Sequence, residues 1–253
     1  SSLYEPSYVE KVKEIFIKNE LIEEKDNALW FKSAQFGDDK DRVIIRSNGE
    51  PTYFFSDILY HYNKIQRGYN LIINIWGTDH HGYVERIKSA FDKICSFEHY
   101  DAKLEIILYQ LVSLIKDGQR ISMSTREGKF ITLDEVVNEV GVDVTRFFLL
   151  TKSPNTHLDF DFELAKEHSL KNPVYYIQYA HTRCCSILTE VNKIISLDSI
   201  NSYLEEYYQH LYEHRFVESE LRLVKKLSFY SDVLKLCIET FSVHHLCNYL
   251  IDL

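Results

Sequence analysis

The spacing of apolar and polar residues in the first part of the chain predicts a helix, a pair of strands and a second helix. Apolar residues recur at helical intervals over residues 8–21, which predicts an amphipathic helix that packs on a core. Two runs rich in β-formers, 28–31 and 42–46, are joined by the acidic turn 37–41, and they predict a strand and hairpin insertion. A helical pattern resumes over residues 56–65.

A nearly continuous apolar run over residues 71–76 ends at Gly77, which is typical of a strand buried on both faces of a parallel sheet. A helical pattern follows over residues 83–94. A strand, a polar loop and a helix make up half of a βαβ unit, and ligands of open α/β sheets bind at the carboxyl ends of such strands. The loop 77–82 is therefore the first place to expect chemistry.

The second half of the chain has mainly helical patterns. Thr132 and Glu135 have the spacing of a capping box, so we expect a helix to begin there. Everything from Asp143 onward reads as helical, and Asn172 followed by Pro173 is placed to open a long helix. These patterns predict an α/β fold with a parallel sheet, followed by an all-α domain.

We place the domain boundary near Phe160, with an α/β domain over residues 1–159 and a helical domain over residues 160–253. The chain has 253 residues, of which 45% are hydrophobic and 14% aromatic, so it can bury a large core. Intrinsic disorder and small disulfide-stapled folds are thereby excluded. The chain opens without Met and stops at Leu253 within an apolar helical pattern, so we expect it to be part of a longer chain.

Charge and cysteine content narrow the partners and the compartment. The formal net charge is -9, which argues against nonspecific DNA binding over the whole surface. There is no apolar run of membrane-spanning length and no secretory signal, so we expect a cytoplasmic protein with no membrane partner. The 5 cysteines are odd in number and widely spaced, which predicts free, buried thiols.

The loop 77–82 combines glycines at both ends with polar side chains. Asp79 offers a carboxylate that can accept both hydroxyls of a ribose, and His80 can donate to a ligand oxygen. A solvated connection in which Asp79 merely caps the helix fits the spacing equally well. A zinc site at His61, His80 and His81 has little support because no further ligand follows at a suitable spacing, so no metal is predicted.

A second candidate is the pair Tyr53 and Asp57, four residues apart. If the helix begins early enough, the two side chains share one face. A buried carboxylate needs a cation, and a planar guanidinium satisfies both carboxylate oxygens at once. The alternative is that Asp57, or Ser56 beside it, is a plain helix cap and that Tyr53 is an aromatic residue at a strand end.

A third candidate is the polar loop 116–129, which holds four basic and two acidic residues in an otherwise acidic chain. With its small hydroxyl side chains it suits a polyphosphate, although an ordinary exposed turn has the same composition. The sequence contains neither a P-loop nor a G-x-G-x-x-G pattern, so the common nucleotide-binding loops are absent.

Five blocks in this order closely resemble arginyl-tRNA synthetases of the bacterial type, and the resemblance covers essentially the whole chain. The blocks are residues 38–43, 52–57, 76–83, 123–128 and 172–181. The resemblance implies a class I enzyme with a Rossmann-type catalytic domain and a helical-bundle anticodon-binding domain. It further implies that arginine and ATP, with Mg²⁺, form arginyl-adenylate, and that the arginyl group passes to the terminal adenosine of tRNA(Arg). Such enzymes are mostly monomers.

Residues that match the family motifs receive roles from the resemblance. Tyr53 and Asp57 match the pair that holds the arginine guanidinium. Gly77, Asp79 and His80 match the segment that lines the ribose and adenine side of the ATP pocket.

Met123, Ser124, Thr125 and Arg126 match the mobile signature loop that closes over the triphosphate. The usual Lys-Met-Ser-Lys-Ser pattern is altered at both lysine positions, which are Ser122 and Thr125 here. The other family signature, H-x-G-H, does not occur, so we expect it upstream of this chain and expect the chain alone to be inactive.

Two alternatives to the ligase remain open. The altered signature loop also suits a catalytically inactive, synthetase-like module that binds tRNA or a protein. Another nucleotidyltransferase of related fold would share the loop 77–82, but it has no need of the helices after Phe160.

Overall fold

The computed structural model describes residues 6–121, 131–196, 199, 202 and 215–253. The chain divides into two compact units, Ser1–Tyr109 and Gln110–Leu253. Two short 3-10 helices, Ser33–Phe36 and Thr78–Tyr83, join elements of the first unit. Its helices and strands are α1 (Pro6–Lys18), β1 (Ile22–Lys25), β2 (Ala28–Phe31), β3 (Arg42–Ile45), α2 (Tyr53–Gln66), β4 (Leu71–Gly77), α3 (Val84–Glu98) and β5 (Lys103–Tyr109).

The strands β1, β2 and β3 form an antiparallel sheet in that order. The two predicted strands are confirmed as β2 and β3, but the helix predicted over residues 8–21 ends at Lys18. Glu20 has a φ of 56°, and a left-handed residue cannot continue an α-helix. The chain then forms β1, whose hairpin to β2 turns through Asp26 and Asn27, both at positive φ, as a tight hairpin requires.

The helix α2 begins three residues earlier than its apolar pattern suggested. Its N-cap is Thr52, whose Oγ1 accepts a hydrogen bond from the backbone N–H of Phe55 at 3.3 Å and donates to the carbonyl of Val43 at 2.9 Å. The prediction that Ser56 or Asp57 caps this helix is therefore wrong. Phe54 and Phe55 in the first turn are buried in the core, which holds the helix start at Tyr53 against the rest of the unit.

The parallel pair β4 and β5 runs in register from Leu71 opposite Lys103 to Gly77 opposite Tyr109, with α3 as the connection. The predicted parallel strand is thus confirmed. The prediction that it is buried on both faces is wrong for the described residues, because Ile72 is buried whereas Ile75 is 66% exposed. One face of β4 packs on the core and the other is accessible.

The core of the first unit is formed by α1, α2 and α3 against the two sheets. Rings contribute much of it: Phe16 lies 5.2 Å from Phe31, centroid to centroid, and Phe31 lies 5.9 Å from Phe54. Side chains of this size bury enough apolar area to hold the helices against the strands. The fully buried members include Phe16, Phe31, Phe55, Ile58, Phe91 and Ile94.

The second unit joins a small sheet to a set of helices. In the sheet, β6 pairs in parallel with β8 and antiparallel with β7. The prediction that the chain is helical throughout from Asp143 is wrong at β8, where Leu158 and Phe160 are buried and Asp159 is exposed. The elements are β6 (Val112–Lys116), β7 (Gln119–Arg120), α4 (Leu133–Val140), α5 (Val142–Leu150), β8 (Leu158–Asp161), α6 (Phe162–Lys166), α7 (Pro173–Ile194), α8 (Glu218–Ser228), α9 (Tyr230–Thr240) and α10 (His244–Asp252).

Two predicted helix starts in this unit are confirmed by their caps. Thr132 and Glu135 form the capping box of α4, with Glu135 accepting from the backbone N–H of Thr132 at 2.6 Å. Asn172 caps α7 by accepting from the backbone N–H of Val174 at 3.0 Å. Every described element after Asp161 is a helix, so the predicted order of a parallel-sheet part and a helical part is confirmed.

All five cysteines lie in the described part of the chain, and each is a free thiol, as predicted. The prediction that they are buried is wrong for Cys184 and Cys185, which are exposed on α7. Cys237 is half-buried, and only Cys95 and Cys247 are in the interior. Over the described residues, no helix is both long and apolar enough to cross a membrane.

Candidate active site

Asp57 in the second turn of α2 and the segment after β4 are joined by a hydrogen bond. The hydroxyl of Tyr83 donates to Oδ2 of Asp57 at 2.8 Å. Tyr83 ends the 3-10 helix that follows β4, so the half-buried Asp57 carboxylate lies at the carboxyl end of this parallel strand. This is the part of an open α/β sheet where ligands bind.

Tyr53 is the first residue of α2, one turn before Asp57. Because residues four apart on a helix are neighbours on one face, the two side chains share a face of α2. Tyr53 is 87% exposed, so its phenol is accessible to a ligand. Because α2 begins at Tyr53, both residues belong to this helix, and their role in binding stays a prediction.

Tyr83 sits among aromatic and cationic groups. The centroid of its ring lies 5.8 Å from that of Trp76 and 6.0 Å from that of Phe54, and the guanidinium of Arg86 lies 5.2 Å above it. Burial, together with the hydrogen bond to Asp57, raises the pKa of Tyr83 well above its usual value. The phenol therefore keeps its proton and remains a hydrogen-bond donor.

Asp38 joins two arginines beneath this cluster. Its Oδ2 accepts from Nε of Arg42 at 2.8 Å and from Nε of Arg86 at 2.9 Å, and its Oδ1 accepts from the Arg42 terminal amine at 2.8 Å. The side chain of Asp38 is 5% exposed. The Arg42 guanidinium, followed by that of Arg86, holds the pKa of Asp38 well below its usual range.

A buried hydrogen-bond chain lies under the backbone of Asp57. Nδ1 of His61 lies 2.7 Å from the Asp57 carbonyl, and Nε2 lies 2.6 Å from the amide nitrogen of Asn74. Since the carbonyl can only accept, Nδ1 carries the proton and Nε2 accepts from Asn74. The Asn74 oxygen in turn accepts from Lys64 at 2.9 Å. Burial lowers the pKa of His61, so the ring is neutral.

The segment expected to face ATP is a 3-10 helix rather than an open loop. The side chains of Asp79 and His80 are exposed, with Oδ2 of Asp79 at 3.6 Å from Nε2 of His80. Gly77 is the N-cap residue of this 3-10 helix, and Tyr83 is the N-cap residue of α3. Neither helix start has a capping hydrogen bond from the side chain of its N-cap residue. Asp79 is therefore not the N-cap of either helix, and the alternative of a solvated connection stays open because its side chain is exposed.

The signature-loop residues Met123, Ser124, Thr125 and Arg126 lie outside the described residues. Two basic residues of the predicted polyphosphate site are described, and both have acidic partners. Nζ of Lys116 lies 2.8 Å from Oε1 of Glu139. The guanidinium of Arg120 lies 3.0 Å from Oδ1 of Asp159.

No group of three or more histidine, cysteine or acidic side chains is placed to hold a metal ion within the described ranges. His61 uses both ring nitrogens in hydrogen bonds. No individual role was predicted for Tyr83, Arg86 or Asp38. Asp38 and Tyr83 lie in the blocks 38–43 and 76–83, whereas Arg86 lies in none of the five blocks. Their contacts join distant parts of the chain, so no local pattern indicates them.

Two family models match the sequence. The model of the catalytic domain of class I tRNA synthetases (R) matches residues 1–165, and that of the DALR anticodon binding domain matches residues 177–253. The chain belongs to the arginyl-tRNA synthetase family. The resemblance noted in the sequence is thus confirmed.

Curated relatives of this chain are named arginine–tRNA ligase. Those from Aquifex aeolicus, Citrifermentans bemidjiense and Carboxydothermus hydrogenoformans are 47%, 45% and 43% identical to it, and each alignment covers 100% of the chain. The alignments cover only 42%, 44% and 44% of those proteins, in the same order. The chain thus spans less than half the length of these relatives.

Solved structures of the family have the same fold. A crystal structure from Campylobacter jejuni, assigned as an arginyl-tRNA synthetase, matches 99% of the chain and 52% of its own length, with a TM-score of 0.80 and 35% identity. The arginyl-tRNA synthetase of Thermus thermophilus matches 99% of the chain and 49% of its own length, with a TM-score of 0.69 and 18% identity. The latter likeness concerns the fold alone.

Proposed function

We propose that the full-length protein containing this chain is an arginine–tRNA ligase. It activates arginine with ATP to arginyl-adenylate and transfers the arginyl group to the 3′-terminal adenosine of tRNA(Arg). Family membership supports this proposal, and the observation that carries it is the half-buried Asp57 carboxylate at the carboxyl end of β4. Such a carboxylate, with a phenol one turn before it, suits a planar cation.

Asp57 and Tyr53 bind the arginine side chain in this proposal. The guanidinium presents two parallel N–H groups to the carboxylate, whereas a lysine ammonium offers a single point charge. The pair therefore selects arginine over lysine, because the wrong cation leaves buried acceptors unpaired.

Gly77, Asp79 and His80 line the ribose and adenine side of the ATP pocket, and Met123, Ser124, Thr125 and Arg126 close over the triphosphate. The exposed Asp79 carboxylate supports the first assignment, because it is accessible to ribose hydroxyls. Mg²⁺ that accompanies ATP neutralises part of the phosphate charge.

The helical part binds tRNA(Arg), and the protein acts as a monomer in the cytoplasm.

We propose that the domain boundary lies near Phe160. Phe160 belongs to β8, and every described element after that strand is a helix, which supports a change of domain at this point.

Arginine-dependent exchange of pyrophosphate into ATP, measured on the full-length protein with tRNA(Arg) present, tests this function. We expect Asp57→Ala to raise the KM for arginine at least about a hundredfold and to leave the KM for ATP unchanged, because losing a buried charge-assisted pair costs about 3 kcal/mol. Glu85→Ala is a matched control, since it removes one exposed negative charge near the site.

The result also separates the ligase from its alternatives. tRNA binding without arginine-dependent exchange by the wild-type protein would indicate the inactive module. Equal losses of arginine and ATP affinity in Asp57→Ala would contradict the assignment of Asp57 to the guanidinium. The chain alone is expected to show no exchange, and robust exchange by it would contradict the placement of a required signature upstream.

A further inference from the structure

The proposed arginine site contains a phenol that has received no role so far. From the geometry around Asp57, and resting on the proposed function, we infer that Tyr83 is a positioning residue for arginine. Its hydroxyl donates to Oδ2 of Asp57 at 2.8 Å and thereby fixes the orientation in which the carboxylate meets the guanidinium. The two residues are 26 positions apart in sequence and belong to different elements.

The hydrogen bond leaves the carboxylate able to bind its cation. An ionised carboxylate has about four acceptor positions, two on each oxygen. Tyr83 uses one of those on Oδ2, so Oδ1 and the second position on Oδ2 remain for the two N–H groups of a guanidinium. Without this bond the carboxylate of Asp57 would rotate about its terminal torsion, which is soft in aspartate.

The position of the phenol is itself fixed. Its ring is held by Trp76 and Phe54, and by the Arg86 guanidinium at 5.2 Å. Arg86 is anchored in turn, because its Nε donates to the buried carboxylate of Asp38 at 2.9 Å. A ring held on several sides stays in place when a ligand enters, so Tyr83 supports Asp57 rather than competing with the ligand for it.

The chemistry of the donor agrees with this role. The phenol carries no charge, so it orients the carboxylate without neutralising it and leaves the full negative charge for the guanidinium. The cation above the ring, Arg86, is already paired with Asp38 and is thereby kept from competing for Asp57. The arrangement thus provides one rigid neutral donor at the acidic residue of the site.

The decisive variant is Tyr83→Phe, which removes only the hydroxyl and keeps the packed ring. In the pyrophosphate exchange assay on the full-length protein with tRNA(Arg), we expect the KM for arginine to rise about tenfold, as for the loss of one hydrogen bond to a charged group. The KM for ATP and kcat should change less than about twofold. Tyr69→Phe is the matched control, because the Tyr69 hydroxyl accepts from Arg67 at the surface of the same unit.

A competitive inhibitor that shares only the guanidinium with arginine shows which end of the substrate the Tyr83→Phe variant affects. Agmatine keeps the guanidinium of arginine and lacks its carboxylate, so its inhibition constant should rise by the same factor as the KM for arginine. The inhibition constant of adenosine should not change. A rise for arginine without one for agmatine would overturn the inference, because it would place the effect at the other end of the substrate.

A double-mutant cycle separates positioning from a general structural effect. In the Asp57→Ala background, Tyr83→Phe should leave kcat/KM for arginine unchanged, and additive losses would overturn the inference. So would an unchanged or lowered KM for arginine in Tyr83→Phe alone. Failure of the proposed function looks different, since the wild-type protein would then show no arginine-dependent exchange.

Discussion

Gly77 and Asp79 are in close contact across the start of the 3-10 helix: a Cβ added at Gly77 would overlap with Oδ1 of Asp79. The backbone φ of Gly77 is -70°, so the requirement for glycine comes from space and not from conformation. The position of the Asp79 carboxylate, the proposed ribose ligand, therefore depends on the absence of a side chain at Gly77.

We expect Gly77→Ala to raise the KM for ATP severalfold while leaving the KM for arginine nearly unchanged. The added methyl group pushes the Asp79 carboxylate out of its position, and stability should fall by less than about 1 kcal/mol because this exposed side chain can turn away. Steady-state kinetics of pyrophosphate exchange and thermal unfolding measure the two effects. Gly82→Ala is the control, since an added Cβ there meets nothing within 4 Å; an equal effect of both variants would refute the steric account.

Asp38→Ala should lower the free energy of unfolding by about 3 kcal/mol, because it leaves two guanidinium groups without their shared partner. Asp39→Ala removes a neighbouring carboxylate that is 71% exposed and also contacts Arg42, and it should cost about 0.5 kcal/mol or less. Chemical denaturation at neutral pH measures both. Similar losses of unfolding free energy in the two variants would contradict the conclusion that the buried carboxylate stabilises the fold more than the exposed one.

The lowered pKa of Asp38 also predicts a dependence on pH. Its contribution to stability is complete above the ordinary carboxyl pKa of about 3.9 and decreases as the pH falls below that value towards the lower pKa of the folded state. The difference in unfolding free energy between wild type and Asp38→Ala should accordingly narrow between pH 5 and pH 3. A constant difference over that range would contradict the pairing.

His61 predicts a pH dependence in a higher range. Because burial lowers the pKa of the folded histidine, the unfolded chain binds the proton first, and stability falls as the pH drops below about 6.5. The slope approaches about 1.4 kcal/mol per pH unit for one proton. His61→Gln should flatten the dependence of the unfolding free energy between pH 7 and pH 5, and an unchanged slope in this variant would contradict the account of a buried neutral ring.

Thr125→Lys restores a lysine of the usual class I signature, at a position outside the described residues. If the loop closes over the triphosphate, the added charge alters the rate of adenylate formation and leaves the dissociation constant for tRNA unchanged. Single-turnover kinetics and a tRNA binding titration separate these effects. Thr156→Lys adds the same charge at an exposed turn of the same unit and should change neither. Weakened tRNA binding with an unchanged first step would contradict the assignment of the loop.

Local relationships were predictable from the sequence, and contacts between distant segments were not. Tyr53 and Asp57 lie one turn apart on α2, a fact of helix geometry that spacing alone reveals once the helix start is known. The capping box that begins α4 at Thr132 and the Asn172–Pro173 pair that begins α7 are likewise local signals in the sequence. The cap at Thr52 was missed because the helix begins with the aromatic run 53–55 instead of an acidic first turn.

The partner of Asp57 could not be found in this way. Tyr83 reaches Asp57 only because β4 and the following 3-10 helix bring Tyr83 next to the second turn of α2, and no periodic pattern in the sequence indicates this contact. The same holds for Arg86 and Asp38, which are 48 positions apart. Strand β8 was missed because four residues are too few for alternation to stand out against the helical patterns around them.

Asp38 precedes β3 and Arg86 belongs to α3, so their ion pair fastens the small antiparallel sheet to the helix that follows Tyr83. A shift of that helix when a substrate enters would be passed on to the sheet. Trp30, on the middle strand, donates its indole N–H to the Lys25 carbonyl at 3.2 Å and reports on its surroundings by fluorescence. Indole fluorescence is therefore a label-free way to test whether this sheet shifts when a substrate is added.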